Sequence, residues 1–515
     1  MNSFNPTLPN WLSRCAERVP DHLAVRCETL NWTFAELDQQ ASYLALQLAT
    51  FGAGERSRVA LVAANGPVYV ACVHALTRLG AVLVPLNTRL TLEELRWQVQ
   101  DVQATFLLYD ERYTGLANAI MQDTPRLRCI KLLVQASNVL AIASDERNQR
   151  LRSYEELSIS AAALRMVIDL DAPQVIMYTS GTTGHPKGVI ITYGMQWWNA
   201  ISSALNLGHR ADDCWLACLP LFHIGGLSIL MRSVIYGISV IVQERFDAVA
   251  VNRAICEDGV TIVSAVAVML QRMLGALDKG RAGYPSTLRC VLLGGGPAPR
   301  TLLEECAWRN IPVAQTYGLT ESCSQAATLS PWDALRKPGS AGQPLLPVQL
   351  RIVCDGRPAA PGEHGVIFLK GPTITPGYVD RPVETAQALR DGWLCTGDIG
   401  YLDADGYLYV LDRRADLIIS GGENIYPAEI ENVLLSHPDV EEAGVCGLSD
   451  PQWGQIPIAF IQARIGSIID ADSLLAYASQ LLARYKLPRA IHFVDQLPRN
   501  AAGKLLRREL PRLLQ

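Results

Sequence analysis

The sequence predicts an α/β protein with a large N-terminal domain, residues 1–412, and a small mobile α+β C-terminal domain, residues 413–515. The large domain is expected to combine mixed α/β subdomains with a β-barrel-like segment. Three observations lead there. Short β-branched runs alternate with Ala- and Leu-rich helical stretches through the first three hundred or so positions, the pattern of βαβ units and parallel sheets. From about Leu345 the strand-like pieces lie among Gly and Pro turns instead. Beyond Asp412 amphipathic helices mix with short strands over about 100 residues, enough for a second small core.

The elements follow in order. "RVALVAA" from Arg58, "AVLVPL" from Ala81, "ATFLLYD" from Ala104 and "VIMYTS" from Val175 are apolar runs of strand length. Continuous rather than alternating hydrophobicity marks strands covered on both faces. Between the first two lies "PVYVACVHALTRLG", an apolar helical stretch. In the later segment "VQLRIV" and "GVIFLKG" read as antiparallel strands. "GYLDADGYLYVLDRRAD" reads as a hairpin turning on Asp405 and Gly406 and running into a charged connector. The final segment offers helices in "AEIENVLLSH" and "SLLAYASQLLARY", and strands in "AGVCGL" and "IAFIQARI".

Composition excludes several classes. Charged residues make up 18 % of the chain, against a usual value of about 25 %, so much of it is expected in core. A formal charge of −5 offers no basic face for nucleic acid. The thirteen cysteines are scattered between positions 15 and 446 with no CxxC pair, which reads as reduced, mostly buried thiols. The most membrane-like run, "LSILMRSVIYGISVIV" from Leu227, is interrupted by Arg232 and too short to span. The opening residues lack an apolar core of signal-peptide length. A cytoplasmic protein with no membrane span is the expectation, and a homodimer is compatible with it.

One loop asks for a ligand. "YTSGTTGHPKGV" follows an apolar strand and holds three threonines, two of them adjacent, a serine, three glycines and a lysine. Exposed amides and hydroxyls with little side chain in the way suit an oxyanion, most often phosphate. It is not a Walker A loop, because Pro186 occupies the required glycine. "LLGGGPAP" likewise lacks the G-x-G-x-x-G spacing. Taken alone, such a loop is as readily a solvated connection.

Five stretches in order settle the weighting: "YTSGTTGHPKGV", "QTYGLTES", "GWLCTGDIG", "DRRADLIISGGENIYPAEIE" and "LPRNAAGKLLR". Together they resemble the adenylate-forming superfamily of acyl-CoA synthetases, firefly-type luciferases and peptide-synthetase adenylation domains. Within it, "CLPLFHIGGLSILMRSVIYG", "LLGGGPAP" and "TYGLTESCSQAATLSP" look most like o-succinylbenzoate–CoA ligases of menaquinone biosynthesis. The resemblance implies an ATP-, Mg²⁺- and CoA-dependent ligase acting on a small carboxylic acid through an acyl-adenylate. A general aryl or medium-chain acyl-CoA synthetase is the nearest alternative. A luciferase-like oxidative enzyme and a carrier-loading adenylation enzyme stand further off.

The resemblance also assigns residues. Thr179, Ser180, Gly181, Thr182, Thr183 and Gly184 would wrap the β- and γ-phosphates, with Lys187 adding a point charge. Gly295, Gln315, Thr316, Tyr317 and Gly318 belong to the nucleotide site. Thr320 would meet the α-phosphate and Glu321 would ligate magnesium, a metal that favours one carboxylate plus phosphate oxygens. On residue type alone that Thr-Glu pair is a helix start. Asp398 would accept the ribose hydroxyls, backed by Arg413. Lys504 is the implied adenylation lysine, although its local pattern is that of a solvated helix start.

His223 matches a catalytic gate beside the acyl pocket that could also stabilise the attacking carboxylate, or else it is a satisfied core histidine. Gly226, Ser264, Gly294, Gly296, Ser322, Ser324 and Arg232 are candidates for acyl contact, the last equally readable as a snorkelling helix residue. Gly421, Gly422 and Glu423 would line the CoA tunnel. The hinge is expected near Arg414 and Ala415, where relatives carry a charged residue.

Overall fold

A computed structural model describes residues 6–28, 30–135, 138–143, 164–179, 186–277, 283–296, 298, 300–412, 417–464, 466–498 and 505–514. The apolar runs become the inner strands of two sheets. One has seven strands in the order Lys187–Thr192, Pro173–Thr179, Val82–Pro85, Arg58–Val62, Phe106–Asp110, Arg128–Gln135 and Asn138–Ala143. The inner pairs are parallel and the two edge pairs antiparallel. The other has nine strands, parallel from Val313–Tyr317 through Cys290–Leu293, Ile262–Ala265, Cys214–Ala217 and Ser239–Val242 to Leu23–Cys27. Val82–Pro85, Cys214–Ala217, Ser239–Val242, Ile262–Ala265 and Cys290–Leu293 are buried at every residue. That is why their sequences lack alternation.

The largest apolar cluster draws on both sheets, with Val59 and Leu61 from one and Trp215 and Val240 from the other. Phe34, Leu37 and Leu44 of helix Phe34–Thr50, and Tyr69 and Leu76 of helix Pro67–Leu79, belong to the same cluster. Helix Pro67–Leu79 is buried from Val68 onward. A helix apolar on all sides is the expected element between two covered sheets. Burying side chains of this size contributes roughly 1.5–3 kcal/mol each before chain entropy is counted.

The later segment forms a six-stranded antiparallel sheet, including Gln349–Cys354, Gly365–Lys370 and Trp393–Leu402. Its hairpin partner Leu408–Asp412 pairs with Trp393–Leu402 as the Asp405–Gly406 turn predicts. A five-stranded sheet follows, with Val440–Asp450 against Gly454–Ala463 at its centre and Ala490–Phe493 running parallel to the latter. It packs with helices Pro427–Leu435 and Ala471–Leu481 over a core of its own, including Ile418, Ile430, Val445, Ile461 and Leu474. The expected hinge at 414–415 lies outside the described residues.

The membrane-like run divides into helix Ile224–Tyr236 and strand Ser239–Val242. Among the described residues no helix is long and apolar enough to cross a membrane. All thirteen cysteines are free and ten of them are buried.

Candidate active site

The two strands flanking the glycine-rich loop pair with each other as an antiparallel hairpin, Thr179 opposite Lys187. The loop is therefore a strand-to-strand connection, unlike the strand-to-helix turn of a Walker A site. Thr179 and Pro186 line a cavity of about 770 Å³, to which residues of the small domain such as Gly421 and Lys486 also contribute. Ser180, Gly181, Thr182, Thr183 and Gly184 lie outside the described residues, as do Arg413 and Lys504.

Lys187 sits 5.3 Å from the centroid of the Tyr378 ring. The Tyr378 hydroxyl donates to Glu321 Oε1 at 3.0 Å. One tyrosine thus places a cation at its face and the expected metal ligand at its hydroxyl. Glu321 stands on a short 3₁₀ turn, Thr320–Ser322, and both Thr320 and Glu321 line the cavity. The approach to that turn requires glycine at 318, since a Cβ there would fall 1.4 Å from the Ser324 carbonyl oxygen.

Across the cavity Asp398 is buried on strand Trp393–Leu402, and its Oδ2 accepts from the Tyr317 hydroxyl at 2.6 Å. Asp398, Thr316, Gly318, Gly294 and Gly295 line the cavity. Gln315 and Tyr317 do not. Tyr317 is joined to the lining by its hydrogen bond to Asp398, whereas Gln315 is buried in the sheet.

Two of the acyl-contact candidates, Ser322 and Gly296, lie outside the cavity lining. Ser322 is fully buried, accepting from the Leu319 N–H at 2.9 Å and lying 3.1 Å from its carbonyl. Its hydroxyl closes the 3₁₀ turn and faces no cavity. Gly296 also leaves the lining; a Cβ there would meet Ile419 of the small domain at 3.2 Å. Ser264 and Ser324 do line the cavity, Ser264 Oγ accepting from Trp215 Nε1 at 3.0 Å. Gly226 lines it as well, and a Cβ there would come within 2.3 Å of the Pro220 carbonyl oxygen.

Arg232 is the charged member of the acyl-contact candidates. It is 1 % exposed, on helix Ile224–Tyr236, yet it lines the cavity. One guanidinium nitrogen donates to Asn199 Oδ1 at 2.7 Å, and its Cζ stands 5.1 Å from the centroid of the Trp215 ring. No carboxylate among the described residues pairs with it, and Nε has no hydrogen-bond partner among them. Burial pulls its pKa below the ordinary arginine value, against smaller opposing effects of Tyr236 and Cys323. It does not snorkel.

His223 is neither core nor unpartnered. Nε2 lies 3.1 Å from Glu423 Oε2, and Arg89 pairs with the other oxygen of that carboxylate. Burial alone would raise the Glu423 pKa, but His223, Arg89 and Lys486 outweigh it and hold the carboxyl below its usual range. Gly421 and Gly422, both with positive φ, line the cavity beside Trp453. The Arg272 and Arg489 guanidinium groups stand 5.6 and 5.7 Å from the Trp453 ring centroid.

Sequence reading missed Tyr378, Arg89, Trp453 and Lys486. Nothing in the stretch around any of them marks it for the site. Among the described residues no cluster of three His, Cys, Asp or Glu side chains could hold a metal. A magnesium ion sharing Glu321 with substrate phosphates needs no such cluster.

The "AMP-binding enzyme" family profile matches residues 12–379, and the "AMP-binding enzyme C-terminal domain" profile matches residues 429–504. A 2-succinylbenzoate–CoA ligase from Geobacillus kaustophilus is 52 % identical over 508 residues, 99 % of this chain and 98 % of the relative. The o-succinylbenzoate CoA synthetase of Bacillus subtilis, a double mutant bound to the product analogue OSB-NCoA, superposes with a TM-score of 0.89. Identity there is 42 %, covering 98 % of this chain and 99 % of that one. The same synthetase with the acyl-adenylate OSB-AMP gives 0.72, at 41 % identity and 98 % of both chains. The chain belongs to the AMP-binding enzyme family.

Proposed function

We propose that the chain joins 2-succinylbenzoate to CoA, with ATP cleaved to AMP and diphosphate. The observation that carries the choice of acid is Arg232. A buried guanidinium without a carboxylate partner, lining the cavity that Glu321 and Asp398 also line, suits an acid that keeps a second carboxylate after the first is activated. A fatty acyl chain would leave that charge buried and unanswered. The relatives named above, which share the fold over nearly their whole length, support the same reading.

The reaction runs in two displacements. A carboxylate oxygen of the acid attacks the α-phosphorus, forming an O–P bond as the bond to pyrophosphate breaks. The CoA sulfur then attacks the acyl carbon, the C–S bond forms, and the bond to AMP breaks with loss of the thiol proton to solvent. The first step sets one anion against another, so the site must neutralise charge and fix an in-line approach. Thr179 and the loop that follows it, with Lys187, would hold the outer phosphates. Thr320 would contact the α-phosphate. Asp398, oriented by Tyr317, would take the ribose hydroxyls, a task for an acceptor with two oxygens. Lys504 would bridge carboxylate and α-phosphate in the first step only. Magnesium, when bound, neutralises phosphate charge, and Glu321, aligned by Tyr378, would hold it. His223, drawn to Glu423, would stand clear of the path along Gly421 and Gly422 by which the thiol enters.

The test is a panel of acids in an assay of ATP- and CoA-dependent AMP release, comparing o-succinylbenzoate with benzoate, 4-coumarate, hexanoate and acetate. We expect o-succinylbenzoate to lead. A wide margin for hexanoate would refute the choice of acid and leave the family assignment standing.

A further inference from the structure

We infer that Lys486 is a positioning residue for the CoA half of the reaction, pairing with Glu94 to hold the small domain in the arrangement seen here. This rests on the two-step reading above. Lys486 is 3 % exposed, and its Nζ lies 2.6 Å from Glu94 Oε1 and 2.7 Å from Glu429 Oε1. Glu429 belongs to the same small domain, on helix Pro427–Leu435. Glu94 belongs to the large domain, on helix Leu92–Asp101. One partner therefore travels with the lysine, and the other meets it only when the small domain is turned this way.

A buried ammonium needs its carboxylates. Burial pulls the Lys486 pKa down, yet Glu429 and Glu94 together push it above the ordinary lysine value. Were the small domain to rotate away, Lys486 would keep Glu429 and gain water, so breaking the contact costs little enough to be reversed in each cycle. A contact made in only one arrangement shifts the balance toward that arrangement by its own free energy. The pair is not isolated. Arg89 and Glu423 cross the same junction, and Asn87 Nδ2 donates to the Tyr485 hydroxyl at 3.5 Å. The chain superposes on the product-analogue complex at a TM-score of 0.89, against 0.72 on the acyl-adenylate complex of the same synthetase at like identity and coverage, and we read the arrangement these contacts hold as that of the thioester step.

Glu94 also caps its own helix. Its Oε2 accepts from the Thr91 N–H at 2.7 Å, while Oε1 takes Lys486. The variant Glu94→Gln separates these duties. Its single carbonyl oxygen keeps the cap, which Gln supports as well as Glu, and its amide N–H₂ is left facing the ammonium.

The experiment measures both half-reactions in the full-length chain. For Glu94→Gln, thioester formation from supplied acyl-adenylate and CoA should slow roughly 10- to 100-fold. Acid-dependent pyrophosphate exchange into ATP should stay within about twofold, because the first displacement does not draw on this contact. Glu94→Lys, which sets two ammonium groups together, should widen the split. Equal loss in both halves, or an unaltered thioester rate in both variants, overturns the inference while the unsubstituted chain still exchanges pyrophosphate. Absence of exchange in the unsubstituted chain overturns the two-step reading, and this inference with it.

Discussion

Replacing Arg232 with Met is the sharpest perturbation the cavity offers. The free protein already carries the cost of burying this guanidinium, eased by one hydrogen bond to Asn199 at 2.7 Å and the Trp215 ring at 5.1 Å. Met preserves most of the length and the apolar stem and removes the charge. Exchanging a buried ion for an apolar group is often neutral or stabilising, so the fold should survive. With substrate bound the balance reverses, since the ring carboxylate would be buried with nothing to answer it. Removing one member of such a pair costs about 2–5 kcal/mol. Because Asn199 and Trp215 already share the guanidinium, we take about 3 kcal/mol, or roughly 10²-fold in kcat/KM. The assay is AMP release with o-succinylbenzoate beside 4-oxo-4-phenylbutanoate, the same acid without its ring carboxylate. The variant should lose rate on the first and little on the second. Equal loss on both acids would show that Arg232 only supports the fold, and no loss on either would remove it from the site.

Three other outcomes follow from the same geometry. Lys504→Ala should cut adenylation roughly 10²–10³-fold and largely spare thioester formation from a supplied adenylate; equal loss of both would refute the assigned role. Glu423, held below the usual carboxylate range by His223, Arg89 and Lys486 against its burial, lends stability that is complete near neutral pH and lost as pH falls through its lowered value. The gap in melting temperature between the parent and Glu423→Gln should therefore narrow on acidification, and a gap that widened would contradict the pairing. Burial pushes the Cys218 and Cys323 thiols up to about 12. A thiol reagent at neutral pH should then react promptly only with the less buried Cys256, Cys354 and Cys395, and fast labelling of Cys323 would count against the closed packing around Arg232.

Much of the fold was legible because it is written locally. Apolar runs such as "AVLVPL" and "VIMYTS" announce covered strands, and Asp405–Gly406 announces its hairpin. The parts of the site that travel together in sequence, Thr320 with Glu321 or Gly421 with Gly422, were legible for the same reason. Ser322 misled because a serine beside a site looks like a donor to ligand, whereas its hydroxyl is spent on the turn that presents Glu321. Lys486 and Glu94 stand 392 positions apart, and Arg89 and Glu423 stand 334 apart. Nothing in either stretch separates a buried ion pair from two solvated charges, since burial is decided by how the domains meet. Arg232 shows the converse: a charge in an apolar helix reads as snorkelling until the neighbouring helix is seen to cover it.

The central claim is that this chain makes a mixed anhydride from a free acid before any thiol takes part. It is tested most directly by exchange of labelled pyrophosphate into ATP, with magnesium and o-succinylbenzoate present and CoA left out. Exchange that requires the acid, and that gives way to thioester and AMP when CoA is added, is the expected result. A properly folded preparation that exchanges no label with any acid in a broad library would contradict the account.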